Sequence, residues 1–482
     1  MTLYNSRYNM TKRFGILRWK VLAVFFTVLF IFCFLSIDYS DGRETFIGGY
    51  WLCRNIIQGN THNIFVQYTY GFFIYLLIAI WCIPIVLLDI FSKVSPTMSH
   101  WDLDTPHILY YKFFLLLFVG LCLYYVYRIL REMQNSKVEK DFVLSESVWG
   151  VMFLITSPCF FYFPFTITQC DIVSLTFMVM SIYYIVFKNN RLAFAILMAF
   201  SVSIKYITLF AYIPLLIFLF IKDIKTLVKV CVPSAMLLGA TAYVDYYAWY
   251  VIEKVHTRTD LAYSSASGVI HNIDFLIAYS VILLMVLLYS IRNEESEKRA
   301  TVYKISYIVA ISLLCLFYFY RVQFYWLILV EPFLLFLLLY AKKWNYVFLQ
   351  EFFMVFLIAS WCVKADRYVL GNMPFSFSIF KDYKLLWGDS GIIRFVEILL
   401  YKLEMQRETM VSILYYASAA IIVYLLYMLY PKTNEEIAKK GVGISIERNS
   451  GLYQYLSVLL HVMLCSAGLI CEFIGRYIMY YK

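Results

Sequence analysis

The 482 residues are 62% apolar and 20% aromatic, with a mean hydropathy of +0.73, which excludes an ordinary water-soluble protein. A net charge of +10 would suggest nucleic acid as the partner of a soluble domain. In so apolar a chain it points instead to basic cytoplasmic loops that hold orientation in a membrane, with no nucleic-acid partner. The eleven cysteines are scattered without metal-ligand spacing, mostly inside apolar runs, as small core residues are.

The N-terminus carries Arg7, Lys12, Arg13, Arg18 and Lys20, followed by an apolar run over 21–37. No small-residue cleavage site follows, so the run is expected to be an uncleaved first span with its N-terminus inside. Just beyond it lie three carboxylates, Asp38, Asp41 and Glu44. Phe46, Tyr50, Cys53 and Ile57 then recur at helical spacing, and Gly59 stands where a left-handed helix stop belongs. The stretch is expected to be a catalytic loop leading into a helix on the membrane surface. A carboxylate at a bilayer edge can act as general base toward a hydroxyl arriving from water. Asp41 and Glu44, three apart, would share a helix face, where they could hold a divalent cation or drive their pKa values apart. Acidic residues are also common in any solvated outer loop, and that plainer reading stands beside the catalytic one.

Residues 66–91 are apolar enough to cross a bilayer, but charge argues against it. With that run left uncrossed, the cytoplasmic loops hold 24 of the 41 Lys and Arg in about 80 residues. Crossing would put the basic loops outside. The expected fold is therefore an all-α polytopic membrane protein of about 13 transmembrane helices, with interfacial or re-entrant helices in its first outer loop. The chain is read as a single unit over 1–482. Its first extracytoplasmic loop, 38–108, carries the chemistry, and a further outer loop covers 364–409. The active site is expected to face the extracytoplasmic side of the cell membrane.

Three further segments carry polar groups on that face. In 156–175 two prolines break a span, and Gln169 and Asp171 open the next one, either as helix caps or as ligand-binding groups. The apolar run over 191–220 is too long for one span and fits a hairpin with Lys205 at its outer tip. A lysine at the bilayer centre costs about 2.5–3.5 kcal/mol. At the tip it either binds phosphate or snorkels to the headgroups. In 320–336 Arg321 and Gln323 form an outer turn before an aromatic belt and a span with Glu331 and Pro332. The planar fork of arginine suits a phosphate diester. His100, Asp102, Asp104, His256 and Arg258 read more simply as solvated loop charge. No Walker motif, dinucleotide fingerprint, zinc-protease motif or nucleophile elbow occurs.

Together these segments resemble the GT-C superfamily of integral-membrane glycosyltransferases, most of all the bacterial mannosyltransferase-like group related to GPI-anchor mannosyltransferases. The likeness rests on Asp41/Glu44, on Tyr50 to Gly59, on Y-T-Y-G-F-F-I-Y-L-L at 68–77, and on Ser157, Pro158, Gln169 and Asp171. Arg191, Lys205, Pro214 and R-V-Q-F-Y-W-L-I-L-V-E-P-F at 321–333 complete it. It covers 38–335 and does not extend over residues 340–482. The resemblance implies a GT-C fold, a sugar donor on polyprenyl phosphate, and a glycan or glycolipid acceptor in the cell envelope. An acid of the first outer loop, led by Asp41 with Glu44 and then Asp38, would deprotonate the acceptor hydroxyl. Lys205, Arg321, Gln323, Gln169 and Asp171 would bind the donor's phosphate or sugar. Tyr68, Tyr70 and Tyr75 would line a groove for the isoprenoid. No cofactor is implied with certainty, a divalent cation held by Asp41 and Glu44 being the one option.

Two other classes stay open: a flippase or transporter of lipid-linked saccharides, and a polysaccharide polymerase using Arg258, Arg367 and Arg394. For the topology, a single cysteine at position 137 should react with an impermeant thiol reagent only from the cytoplasmic side. Labelling from outside would reverse the assignment.

Overall fold

The computed structural model describes residues 2–36, 42–60, 70–93, 105–133, 145–255, 273–292, 297–320, 324–341, 345–364, 391–431 and 450–481. Every regular element among them is helical. In chain order they are α1 (Thr2–Ser36), α2 (Arg43–Ile57), α3 (Phe72–Phe91), α4 (Thr105–Met133), α5 (Glu146–Thr156), α6 (Pro158–Phe165), α7 (Asp171–Lys188), α8 (Arg191–Ile204), α9 (Leu209–Phe220) and α10 (Ile224–Val255). They continue as α11 (Ile273–Arg292), α12 (Lys298–Tyr320), α13 (Glu331–Ala341), α14 (Asn345–Lys364), α15 (Gly391–Lys402), α16 (Arg407–Met428) and α17 (Ser450–Tyr481).

Among the described residues nine helices are long and apolar enough to cross a membrane, or ten with the bent pair α5–α6 counted as one span. These are the helices of a multi-pass membrane protein. The thirteen expected spans include four stretches that form shorter apolar helices, Arg191–Ile204, Tyr206–Phe220, Glu331–Ala341 and Tyr346–Ser360. The α5–α6 bend of 49° follows from Ser157 and Pro158. Ser157 caps α6 by accepting the Phe160 amide at 3.3 Å, and Pro158 takes the first helical position, where its missing N–H costs nothing.

The helices group into two compact units. One comprises Met1–Ile37, Val126–Thr166 and Leu335–Lys482, the other Asp38–Tyr125 and Ile167–Leu334. Each is assembled from segments far apart in sequence, so no linker marks the division. In the first unit, α14 packs on α16 and α15 on α17. Trp149 of α5 donates to the Gln454 carbonyl of α17 at 3.1 Å. Deeper in the unit, His461 sits 2.6 Å from Glu351, both fully buried.

The second unit explains the first outer loop. Thr176 of α7 donates to the Phe118 carbonyl of α4 at 3.0 Å, and Tyr125 meets Tyr184 further along, so α4 and α7 run parallel. The first two turns of α4, about 12 Å of helix, therefore project past Asp171. α3 runs antiparallel to that projection: the Trp81 indole donates to the Tyr110 carbonyl, and Asp89 meets His107 at 3.0 Å. At its start, Phe73 stacks on Phe200 of α8 at 4.2 Å. By length and composition α3 qualifies as a span, yet it overlaps α7 only over its first turns.

α2 forms over the expected residues, and Gly59 takes a left-handed φ of 69° after its end. Phe46, Tyr50 and Cys53 are buried, but Ile57 is exposed. Phe46 packs on Tyr111 and Tyr50 on His107, antiparallel to α4, while Gly49 lies against Ile78 of α3. α2 packs against α3 and α4 along most of its length. Burial pushes the Cys53 thiol up to about 11.

One carboxylate ties the three helices: Asp89 accepts from the Tyr50 hydroxyl at 2.6 Å and stands 3.0 Å from His107 Nε2. Burial, then the bond to Asp89, raises the Tyr50 hydroxyl above its ordinary range, which keeps it a donor. Asp89→Ala would remove the acceptor shared by Tyr50 and His107, at about 1–3 kcal/mol for each donor left unmatched. Thermal unfolding of the detergent-purified variant should show a clearly lowered midpoint; an unchanged one would make the node dispensable.

Candidate functional site

The site is built where α7 begins and α8 ends. Arg191, at the start of α8, donates to Thr226 at the start of α10 (2.7 Å). Ser203, near the end of α8, pairs with Thr241 further along α10 (3.0 Å). α8 and α10 thus run parallel, and α9 must return between them. Phe194 of α8 accordingly contacts both Tyr212 and Phe220 of α9. The hairpin expected from the sequence is present, with Lys205 at its tip in extended backbone (φ −137°, ψ 100°).

Two serines set what Lys205 meets. Ser174 of α7 and Ser201 of α8 each donate to the other's carbonyl at 2.9 Å. One helical turn outward on each strand of this zipper stand Asp171 and Lys205. Their ammonium and carboxylate lie 2.7 Å apart at Oδ1, with Asp171 1% and Lys205 7% exposed. The approach is off the line of a directed hydrogen bond, but at that separation it is a close ion pair. Asp171 also occupies the first turn of α7, where the helix dipole favours an anion.

Aromatic faces enclose the ammonium: Tyr70 and Trp326 with centroids at 4.8 Å, and Tyr325 at 5.6 Å. Rings around a desolvated cation add about 2 kcal/mol or more in favourable cases. Tyr325 and Trp326 belong to the 3-10 turn Phe324–Leu329. Tyr70 is held from several sides. Its hydroxyl donates to Gln169 Oε1 at 2.8 Å, and its amide donates to the Tyr75 hydroxyl at 3.2 Å. The next residue, Gly71, lies so close to the Ser203 carbonyl that a Cβ there would fall 1.9 Å from its oxygen. Phe72 then donates its amide to Asp245 of α10 at 2.5 Å, and Asp245 also accepts from the Tyr206 hydroxyl.

The first outer loop reaches the same place. A Cβ on Gly42 would lie 1.9 Å from the Thr168 carbonyl oxygen, so the start of α2 rests backbone to backbone on the segment before Asp171. Thr168 itself adopts a left-handed φ of 56°. That conformation costs a β-branched residue on the order of 1–3 kcal/mol and persists only where its surroundings impose it. Glu44 follows in the first turn of α2, partly buried.

Of the residues expected from the sequence, Gln169, Asp171, Lys205 and Tyr70 come together, with Tyr75 behind Tyr70. Glu44 is carried on the helix that docks beside them. Glu331 is buried as the first residue of α13. Asp38, Asp41, Tyr68, Arg321, Gln323, His100, Asp102, Asp104, His256, Arg258 and Arg367 lie outside the described residues. Arg394 lies on α15. Among the described residues no three His, Cys, Asp or Glu side chains converge; of the Asp41/Glu44 pair only Glu44 is described. Sequence reasoning missed Asp245 and Trp326. An aspartate near the end of an apolar span was the available signal for Asp245.

No protein-family model, curated protein or solved structure matches this chain.

Lys205→Met would leave the Asp171 carboxylate buried without its counter-ion, at a cost of about 3–5 kcal/mol. Replacing both partners, as in Lys205→Met with Asp171→Leu, should recover most of that loss. Thermal unfolding of the two singles and the double measures the coupling; additive losses would mean that the pair does not act as a unit.

Proposed function

We propose that this protein is an extracytoplasmic glycosyltransferase of GT-C type, moving a sugar from a polyprenyl-phosphate donor to a hydroxyl of an envelope glycan or glycolipid. The observation that carries the proposal is the meeting of the first-loop helix α2, the Gln169–Asp171 segment, the Lys205 tip and the Tyr325–Trp326 turn in one compact unit. A buried carboxylate, a cation and three aromatic faces suit a ligand with hydroxyls and a charged leaving group.

In this reading an acid of the first loop, Asp41 or Glu44 with Asp38 behind them, takes the acceptor hydroxyl's proton as its oxygen attacks the anomeric carbon. The bond from that carbon to the phosphate oxygen breaks with inversion, and polyprenyl phosphate leaves. In the same reading a cation, Lys205 or Arg321, would offset the charge that develops on the phosphate, with Gln323 as a neutral donor beside Arg321 in sequence. The enclosure of α2 by α3 and α4 supports a base held in fixed geometry, which catalysis requires. Of the three tyrosines expected to line a lipid groove, Tyr75 is fully buried behind Tyr70, so the isoprenoid would meet Tyr68 and Tyr70.

The test is transfer from radiolabelled polyprenyl-phosphate sugars to envelope acceptors by the reconstituted protein. One of Asp41→Asn and Glu44→Gln should lower transfer by about 10²–10⁴-fold. Transfer that neither substitution reduces tenfold would exclude both Asp41 and Glu44 as the base.

The buried His461–Glu351 contact favours a second reading, a carrier of lipid-linked saccharides. Buried ionisable pairs among apolar helices are typical of proton-coupled transport. Lipid-linked saccharide translocation driven by a proton gradient, with no sugar transfer, would select it.

A further inference from the structure

Two buried polar atoms beside Lys205 have no hydrogen-bond partner among the described residues: Asp171 Oδ2 and the Trp326 indole Nε1. They differ in kind, one an acceptor and the other a donor, and both belong to side chains that contact the same ammonium. A carboxylate oxygen and an indole N–H buried without partners each carry a desolvation cost, of about 1–3 kcal/mol for a neutral group and more for a charged one. Such atoms are matched when a ligand supplies what each lacks.

We propose that Asp171 and Trp326 form a hydroxyl-reading subsite for the donor's sugar, and that Lys205 acts through Asp171 and does not grip the phosphate. The proposal rests on the glycosyltransferase reading and deepens it. Asp171 Oδ2 accepts from one sugar hydroxyl, and the Trp326 N–H donates to another sugar oxygen. The Lys205 ammonium holds the carboxylate ionised and turned so that Oδ1 faces the cation and Oδ2 the ligand. Because the ammonium is capped by Tyr70, Tyr325 and Trp326 and paired at 2.7 Å, it offers little approach to a second anion. The phosphate is then held by groups other than Lys205. Gln169, holding the Tyr70 hydroxyl, keeps that ring over the cation.

The experiment compares equilibrium binding of bare undecaprenyl phosphate with its mannosyl and glucosyl derivatives, using the full-length protein in lipid nanodiscs. The expected result is that the wild type prefers a sugar-bearing lipid. Asp171→Asn should lower this preference on the order of tenfold and Trp326→Phe severalfold, with affinity for the bare lipid unchanged in both. Lys205→Met should behave like Asp171→Asn. Trp326→Phe removes the N–H while leaving a smaller aromatic ring and all charges in place, so it carries the test even if the charge variants fold poorly.

Loss of bare-lipid affinity in Lys205→Met would put Lys205 on the phosphate and overturn the proposal. A wild type that binds bare and sugar-bearing lipids equally would also overturn it, while leaving the polyprenyl-phosphate reading intact. A wild type that binds none of these lipids would defeat that reading and the subsite with it.

Discussion

The pairing of Lys205 with Asp171 is the constraint around which the second unit is arranged. Removing two charges from water costs several kcal/mol each, and attraction repays this only when geometry is tight and the surroundings help. Here the helpers can be named. The Ser174–Ser201 zipper holds α7 and α8 in register, so that the two residues face one another one turn further out. The helix dipole of α7 favours the carboxylate, and three ring faces favour the ammonium. Without the pair, Lys205 at a hairpin tip would snorkel outward, and the corner carrying Tyr70 would lose the cation its ring covers.

That corner shows how one charge orders neighbouring backbone. Tyr70 needs its ring over Lys205 and its hydroxyl on Gln169, which brings the chain hard against α8 at Gly71 and Ser203. Asp245 then receives the first amide of α3, a donor that the helix itself cannot satisfy. From there α3 departs past Asp171 and joins α2 and the start of α4, where Asp89 gathers Tyr50 and His107. The projecting layer thus has a polar node at each end and an aromatic body between. A first-loop acid carried at its base would be held by packing on both sides, and the strained Thr168 lies at that same base.

Much of this was legible because it is local. The spacing of Phe46, Tyr50 and Cys53, with Gly59 after them, predicted α2 and its stop, since helical periodicity and left-handed backbone preference act within a few residues. The hairpin at Lys205 followed from an apolar run too long for one crossing with a charge at its middle. The short helices were less legible. Hydropathy registers how apolar a stretch is, whereas the break before Glu331 depends on contacts made elsewhere. Ile57 continued the helical pattern yet is exposed, because α3 and α4 enclose α2 only over its earlier turns.

By itself the sequence determined an all-helical, multi-pass chain, the position of its first acidic loop, and a short set of polar residues at helix ends. Burial of apolar surface and satisfaction of backbone hydrogen bonds in an apolar medium leave few other options for such a composition. Only the tertiary structure decided which polar groups meet. Gln169 lies 99 positions from Tyr70, and no periodicity spans that interval. Partner choice there depends on which helix ends arrive at the same depth. For the same reason the chain's division into two units left no trace in composition. The sequence left Lys205 as either a phosphate cation or a snorkelling lysine; its pairing with Asp171 is set by packing, because a buried charge takes the partner placed within reach.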